Sequence, residues 1–365
     1  MFRSKLFSPV NMLAFCAISG FTTLGFQIYK LNSQPTLRWV DTWKEDESPV
    51  WECKPVTRTA ANYLGAMFPA VPPISEGSKS RNIRVFVPLC GATKDLRAIS
   101  DHINKMIEHA ATTTTATATR EAPASNVKSQ SKNSTPASSS AIDPVPYNVK
   151  VIGVDHNQTA LQVFMKRECN GIYDTIVDDF SKTLILTSQN FRLICSDIFA
   201  ECMPRMILHA EAIYDRDALV ALEPAERTAY VRLYDYVLTN SGKILLTVFR
   251  YDPKERWSNI KKKAKYLREE IQKTNDPIVK AQLQHEYDTH ISPNNYPKIA
   301  RPPYSLDHSE IATLFQPITH GDSKKVKLLA SVKCSESDDP WEKSLPQRLM
   351  TDPERTFVDI YLIER

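Results

Sequence analysis

The segment Arg84–Leu96 constrains the fold of this chain most, because a short apolar run ends there in a turn with proline and glycine. Val85-Phe-Val87 is continuously apolar, which is typical of a strand buried on both faces of a parallel sheet. Pro88 cannot donate to a strand ladder, and Gly91 permits a tight turn close to a ligand. A single glycine cannot form the multi-glycine motifs of dinucleotide and P-loop sites, which weakens both interpretations. The segment therefore predicts a strand, a ligand-binding turn and a helix.

Strand and helix patterns alternate along the chain after this turn. Apolar runs typical of strands lie at 149–155, 191–195, 210–214 and 243–249. This alternation predicts a mostly parallel sheet with helices on both faces. Two later strands, at 325–333 and 356–363, have no helix-length periodic segment between them, so they predict a terminal antiparallel hairpin.

Short motifs occur in an order that resembles the thiopurine S-methyltransferase family. They are Trp39-Val-Asp-Thr-Trp43, Pro88-Leu-Cys-Gly91, Val151-Ile-Gly-Val-Asp155, Cys195-Ser-Asp-Ile-Phe199, Tyr214-Asp-Arg-Asp-Ala-Leu-Val-Ala-Leu222, Tyr251-Asp-Pro253, Arg301-Pro-Pro-Tyr304, His308-Ser-Glu-Ile311 and Tyr361-Leu362. Each motif alone is weak, but the ordered set is specific. The resemblance implies an α/β fold, a Rossmann-like seven-stranded mostly parallel sheet with a terminal antiparallel hairpin. It also implies S-adenosyl-L-methionine as the cofactor.

Composition divides the chain into an N-terminal segment, 1–36, and a methyltransferase domain, 37–365, with two insertions. Residues 111–146 are rich in Ala, Thr, Ser and Pro, and they carry too few large apolar side chains to offset the entropy of ordering, so we expect disorder. Residues 254–298 are charged and favour helix. The basic part of this helical insertion is either a solvated arm or a contact for a partner or an anionic membrane.

The N-terminal segment bears on localisation, because residues 7–28 are mostly apolar and uncharged. They are long enough to cross a bilayer as a transmembrane helix, and basic residues precede them. A membrane anchor, a cleaved signal peptide and an organelle-targeting segment all remain open. We expect a cytoplasmic catalytic domain that the N-terminal segment anchors to a membrane, and organelle targeting is the alternative.

Charge and cysteine content exclude several classes of function. The formal net charge is +4 with the bases concentrated locally, so we expect no nucleic-acid partner. Seven widely spaced cysteines without a Cys-x-x-Cys pair favour free thiols in a reducing compartment and no metal site. We expect a monomer whose partner is a small-molecule methyl acceptor.

Candidate cofactor-binding residues follow the ends of three predicted strands. Asp155 ends the second, where an acidic side chain accepts the ribose hydroxyls in Rossmann-like folds; the alternative is an N-cap of the helix near Asn157. Asp197 and Ile198 follow the third, where the family places its adenine contact; the alternative is an ordinary turn with a buried Ile198.

The remaining cofactor candidates flank the methionine end of the ligand. Leu89 and Gly91 lie beside the methionine moiety, with backbone amides near its carboxylate. Trp39 and Trp43 offer aromatic faces to the sulfonium, or else pack in the core. Cys90 lacks a partner base in the motif and is interpreted as packing.

The acceptor side departs from the family more than the cofactor side does. The resemblance places Arg216 in the active site, against both cofactor and substrate; a salt bridge to Asp215 or Glu223 is the alternative. The family has glycine where this chain has Asp217. Trp51 aligns with a substrate-contacting aromatic, but Glu52-Cys53 replaces the family's following His-Gln.

Methyl transfer needs alignment of a nucleophile with the methyl group more than it needs a base, so the catalytic residues stay unassigned. The sequence predicts an S-adenosylmethionine-dependent methyltransferase acting on a small thiol or thiopurine-like acceptor. Two alternatives stay open. One is a related enzyme with a halide, thiocyanate, oxygen or nitrogen acceptor, and the other is a catalytically impaired, membrane-tethered module that only binds the cofactor.

Overall fold

A computed structural model describes residues 56–69, 80–120, 147–290 and 303–365 of the chain. The apolar segment 7–28, the three tryptophans Trp39, Trp43 and Trp51, and Arg301 lie outside the described residues. So do residues 121–146, which make up most of the insertion expected to be disordered. Everything below concerns the described ranges.

A central sheet forms the body of the protein. In the described ranges it has nine strands in the order β3-β4-β5-β2-β1-β6-β7-β9-β8. Their bounds are β1 Arg81–Pro88, β2 Tyr147–Asp155, β3 Asp174–Val177, β4 Leu184–Thr187, β5 Phe191–Cys195, β6 Ala210–Arg216, β7 Leu238–Arg250, β8 Val326–Lys333 and β9 Phe357–Glu364.

Helices connect the strands and cover the sheet. Their bounds are α1 Arg58–Met67, α2 Asp95–Arg120, α3 Gln158–Glu168, α4 Met203–Ile207, α5 Ala218–Ala221, α6 Pro224–Val237, α7 Pro253–Lys273, α8 Pro277–His290, α9 His308–Leu314, α10 Gln316–Thr319 and α11 Pro340–Leu349. Short 3-10 turns lie at Ser323–Lys325, Cys334–Glu336 and Pro353–Arg355.

The sheet is Rossmann-like, as the sequence predicts, with a parallel centre and an antiparallel end. β5, β2, β1, β6 and β7 run parallel, and β9 pairs antiparallel with both β7 and β8. The expected seven strands are present, but β3 and β4 extend the other edge as an antiparallel addition. The sequence missed these strands because each has only four residues and every β3 side chain is exposed, so no buried-strand pattern marks β3.

Two connections differ from the sequence expectation. α2 continues to Arg120, so 111–120 are helical where we expected disorder to begin at 111. Residues 111–120 contain three alanines but six threonines, so propensity alone does not favour helix there, and the stretch continues a helix that has already formed. α11 lies between β8 and β9, where the sequence indicated no helix. A proline inside α11 obscures its helical pattern.

The charged insertion forms a pair of antiparallel helices, α7 and α8, over its described part. Leu267 and Tyr287 are buried between the two helices, and Arg268 donates to the Tyr287 hydroxyl at 2.6 Å. Lys263 pairs with Glu286 at 2.6 Å, and Lys261 lies 4.6 Å from the centre of the Trp257 ring. Two lysines of the basic stretch therefore have partners within this helical arm.

Across the described ranges, no helix combines the length and apolar character needed to cross a membrane.

Candidate active site

The candidate site lies where the carboxyl ends of the central parallel strands meet, which is where open α/β sheets bind ligands. β1 lies between β2 and β6, with Pro88 opposite Val154 and Phe86 opposite Ile213. Continuing these registers brings the turn after β1, Asp155 and the residues after β6 to one edge of the sheet. The fold thus gathers candidates that are far apart in the sequence.

The turn after β1 is held in a compact conformation. Leu89 and Gly91 both have positive φ, 44° and 53°. The Cys90 amide donates to the Val154 carbonyl at 3.1 Å, and the Cys90 side chain is buried. A Cβ on Gly153 would lie 2.7 Å from the Cys90 sulfur, so this glycine makes room for the cysteine. Close packing against β2 accounts for Cys90, in agreement with the interpretation from the sequence.

Asp155 joins the ends of β1 and β2. Its carboxylate accepts from the Gly91 amide at 2.9 Å and from the Asn157 amide at 2.8 Å. Burial raises the pKa of Asp155, and these backbone hydrogen bonds oppose the shift. Asn157 caps α3 by accepting from Ala160, so the N-cap alternative for Asp155 is wrong.

The Asp155 contacts also revise the expected role of Gly91. The Gly91 amide donates to Asp155, so it is not directed at a ligand carboxylate as expected. Each Asp155 oxygen accepts one backbone bond and has a second lone pair for a hydroxyl donor. The geometry therefore suits Asp155 as an acceptor for a ligand diol.

The Asp197-Ile198 pair divides between surface and core. The Asp197 side chain is exposed and accepts from the Phe199 amide at 2.9 Å, forming a tight turn. Ile198 is buried in the main core, as the turn interpretation requires. The Asp197 carboxylate is thus the polar group that this turn presents at the edge of the sheet.

Arg216 ends β6 beside an acidic neighbour. Its Nε lies 3.8 Å from an Asp217 carboxylate oxygen, and the two side chains are 17% and 22% exposed. The sequence offers Asp215 or Glu223 as the alternative ion-pair partner, whereas the structure pairs Arg216 with Asp217. Burial raises the pKa of Asp217 to about 7, although the Arg216 charge opposes the shift.

Asp215 has a structural role. It is fully buried, and one carboxylate oxygen accepts from the Ala218 and Leu219 amides at 3.0 and 3.3 Å. The other oxygen accepts from the Tyr230 and Tyr234 hydroxyls at 3.2 and 2.8 Å. Burial raises its pKa to about 6, and these hydrogen bonds oppose the rise. Asp215 secures the start of α5, so it is a poor candidate for a catalytic base.

A buried network that the sequence did not reveal ties the N-terminal side of the domain to the site. The Asp95 carboxylate accepts from the Thr57 amide at 2.8 Å, the Thr57 hydroxyl at 2.7 Å and the Tyr214 hydroxyl at 2.8 Å. Thr57 also caps α1. The capping position was readable from the sequence, but the contact with Asp95 depends on tertiary structure.

A second unforeseen group comes from α11. Glu342 is buried, pairs with Arg58 at 2.8 Å and accepts from the Ser337 hydroxyl at 2.5 Å. Burial raises the pKa of Glu342, while the charges of Arg58 and Arg216 lower it. Glu342 thus adds a carboxyl group to the electrostatic environment of Arg216 and Asp217.

The cysteines and the potential metal ligands of the described ranges form neither a disulfide nor a metal site. The five described cysteines are all free, and no group of His, Cys, Asp and Glu there is arranged to hold a metal ion. Burial raises the pKa of the Cys195 thiol, and the nearby Asp155 charge raises it further, so this thiol is held in its protonated form.

Comparison with known proteins places these observations in context. The family model described as "Thiopurine S-methyltransferase (TPMT)" matches residues 146–289. A thiopurine S-methyltransferase from Aliivibrio fischeri is 28% identical over 54% of this chain and 70% of its own length. One from Nitrosospira multiformis is 23% identical over 60% and 71%. An arsenic(III) S-adenosylmethionine methyltransferase structure from Chlamydomonas reinhardtii is more distant, with 12% identity, a TM-score of 0.38, and 85% and 74% of the two chains covered.

Proposed function

We propose that this chain is a member of the thiopurine S-methyltransferase family of S-adenosylmethionine-dependent methyltransferases and that it methylates the sulfur of a small thiol. The observation that carries the proposal is the convergence of Gly91, Asp155, Asp197 and Arg216 at the carboxyl edge of a parallel sheet. Relatives named as thiopurine S-methyltransferases support a sulfur acceptor. A thiopurine is therefore the first acceptor to test.

The residues at this edge fit the parts of S-adenosylmethionine. Asp155, with an unused lone pair on each oxygen, would accept the ribose hydroxyls. Asp197 would accept the adenine amino group, because its carboxylate is exposed just after β5. Leu89 would contact the methionine part, since it lies in the positive-φ turn beside Asp155. Gly91 would act by keeping that turn compact and by holding Asp155 in place.

The protein's contribution to the chemistry is alignment and exclusion of water. When bound, S-adenosylmethionine supplies an electrophilic methyl group on a sulfonium. Holding a thiol in line with that group contributes much of the rate enhancement in such displacements. We assign Trp39 and Trp43 to the cofactor and Trp51 to the acceptor, on the family resemblance.

Arg216 is the acceptor-side residue in this proposal. Its guanidinium is mostly buried after β6, next to the strand that carries the cofactor turn. A thiol needs only to lose its proton, and we assign no residue as a dedicated base. Asp215 is unsuited to that task, because both of its oxygens hold backbone or tyrosine donors.

The test is a pair of measurements on the purified full-length chain. Calorimetry with S-adenosylhomocysteine should show binding, and transfer of labelled methyl from S-adenosylmethionine should occur to a thiopurine or a simple thiol. Absence of cofactor binding would overturn the whole proposal. Binding with transfer only to halide, thiocyanate, oxygen or nitrogen acceptors would overturn the thiol assignment and favour a related methyltransferase.

A further inference from the structure

Asp217 lies in the region where we propose that the acceptor binds. Its backbone has a conformation that residues with a side chain rarely adopt. Its backbone has φ 64° and ψ 2°, in the left-handed region that favours glycine. The residue follows Arg216 directly and precedes α5, so it lies just beyond the carboxyl end of β6. An aspartate at this position has a strained backbone. It also brings a negative charge to the region where we propose that the acceptor binds.

The Asp217 carboxylate does not serve the local structure. Although the residue stands at the N-cap position of α5, its side chain makes no capping hydrogen bond. Asp215 accepts from the α5 amides instead. Within the described ranges one Asp217 oxygen, Oδ1, has no hydrogen-bond partner, while the other oxygen faces Arg216. Oδ1 is also buried. A buried carboxylate oxygen without a donor points to a ligand group that would supply the hydrogen bond.

The charges around Asp217 come from several elements. Arg216 is its positive neighbour, and the negative groups that act on it are Glu342 of α11, Asp215 of β6 and Asp95 of α2. Arg58 pairs with Glu342. Four carboxyl groups and two guanidinium groups thus lie in this region. A further anion placed beside Asp217 would meet repulsion that Arg216 only partly offsets.

We propose that Asp217 sets the charge preference of the acceptor site, so that the enzyme selects neutral or positively charged thiols over thiols that carry a carboxylate. The inference rests on the proposed thiol methyltransferase function and specifies its substrate class. Asp217 offsets the charge that Arg216 would otherwise offer to an anionic acceptor. Its unpartnered oxygen accepts a hydrogen bond from an ammonium, amine or hydroxyl group next to the reactive sulfur.

The experiment compares three small thiols that differ mainly in charge: 2-aminoethanethiol, 2-mercaptoethanol and 3-mercaptopropionate. The readout is the ratio of kcat/KM for the cationic thiol to that for the anionic thiol. In the wild-type protein this ratio should exceed one by a wide margin. In Asp217→Asn, which keeps the shape and removes the charge, we expect it to fall about tenfold. Asp217→Gly should lower it similarly.

The matched control is Asp178→Asn. Asp178 lies 3.8 Å from Arg205 in an ion pair of the same separation, but on the loop between the edge strands β3 and β4. This variant should leave the ratio unchanged. Calorimetry with S-adenosylhomocysteine should give the same affinity for wild type, Asp217→Asn and Asp178→Asn, which separates acceptor recognition from cofactor binding.

The pH dependence of this ratio is a second readout. It would not change if Asp217 had a purely structural role. With its pKa near 7, Asp217 loses charge as the pH falls from 8 to 6.5, so the wild-type ratio should fall over this range. The ratio in Asp217→Asn should stay flat. If both proteins methylate thiols with the same ratio at every pH, the charge-preference inference is wrong while the proposed function stands. If neither methylates any thiol, the proposed function itself fails.

Discussion

The proposed cofactor and acceptor sides of the site are built differently, although both lie at the carboxyl edge of one sheet. On the cofactor side, Asp155 accepts from the Gly91 and Asn157 amides, so backbone donors fix its carboxylate. On the acceptor side, the side chains of Arg216 and Asp217 form an ion pair, and Asp217 adopts a left-handed backbone conformation. A carboxylate held by backbone amides keeps its place when neighbouring side chains are substituted. A region lined by charged side chains changes with each substitution.

This difference explains where the chain follows the thiopurine S-methyltransferases that it resembles and where it departs from them. The turn and carboxylate that suit the cofactor are tied to the β1–β2 pairing, which the fold requires. The residues after β6 can vary once Asp215 has secured α5. We therefore expect variants on the cofactor side to change binding of every ligand, and variants on the acceptor side to change selectivity.

The largest effect that we predict concerns the carboxyl group beneath the acceptor side. The pKa of Asp215 is about 6 in the folded protein, against 3.8 for an ordinary aspartate, so ionisation of this group opposes folding. Its contribution to stability is fully present below pH 3.8 and is lost as the pH rises through about 6. The loss amounts to roughly 3 kcal/mol. Denaturant unfolding of wild type and Asp215→Asn between pH 4 and pH 7.5 would measure it.

A control of opposite sign sharpens that test. The pKa of Asp178 is lowered, mainly by its hydrogen bonds with Ser181, so this group favours folding at higher pH. The wild-type free energy of unfolding should decline with rising pH relative to Asp215→Asn, and it should not decline relative to Asp178→Asn. Parallel pH curves for wild type and Asp215→Asn would show that Asp215 ionises normally.

On the cofactor side, Asp155→Ala should weaken S-adenosylhomocysteine binding about 10- to 100-fold, because charge-assisted hydrogen bonds contribute about 1.5–3 kcal/mol. Isothermal titration calorimetry measures this directly. Asp155→Asn should lose less, since its amide oxygen can still accept. An Asp155→Ala protein that folds normally and binds with wild-type affinity would remove this residue from the site.

On the acceptor side, Asp217→Gly should raise stability by about 1 kcal/mol, since glycine adopts the left-handed conformation without the penalty of a Cβ. Thermal unfolding at pH 8 is the measurement, with Asp217→Ala as the comparison because alanine keeps the strain and lacks the charge. A lower melting temperature for Asp217→Gly than for Asp217→Ala would indicate that the strain is negligible.

The smallest effect should come from the helical arm, which belongs to neither side. Lys263→Glu removes the ion pair with Glu286, and partly exposed pairs of this kind contribute about 0–1 kcal/mol. Cofactor affinity and the thiol ratio should both stay at wild-type values. Liposome binding with and without Lys261→Glu, Lys262→Glu and Lys263→Glu tests the separate membrane hypothesis, which unchanged binding would contradict.

Local patterns were sufficient to predict the central sheet and the cofactor turn. The Val85–Val87 run and the Pro88–Gly91 turn depend on neighbours in the chain, and the observed β1 ends as they indicate. The strands β3 and β4 gave no comparable signal, because each has only four residues and every β3 side chain is exposed. The extent of α2 was also missed, since composition predicted disorder where an existing helix continues.

The sequence by itself determined the seven core strands of the sheet, the resemblance to the thiopurine S-methyltransferases and the residues that follow the central strands, because periodicity, turn residues and motifs are local properties. Only the tertiary structure decided what those residues do to one another. It shows that the Gly91 amide donates to Asp155, that Asp215 is buried against tyrosines, and that the Thr57 amide donates to Asp95. It also brought Glu342 near Asp217. Pairings of this kind depend on packing between distant segments, and burial then sets the charge of each carboxyl group.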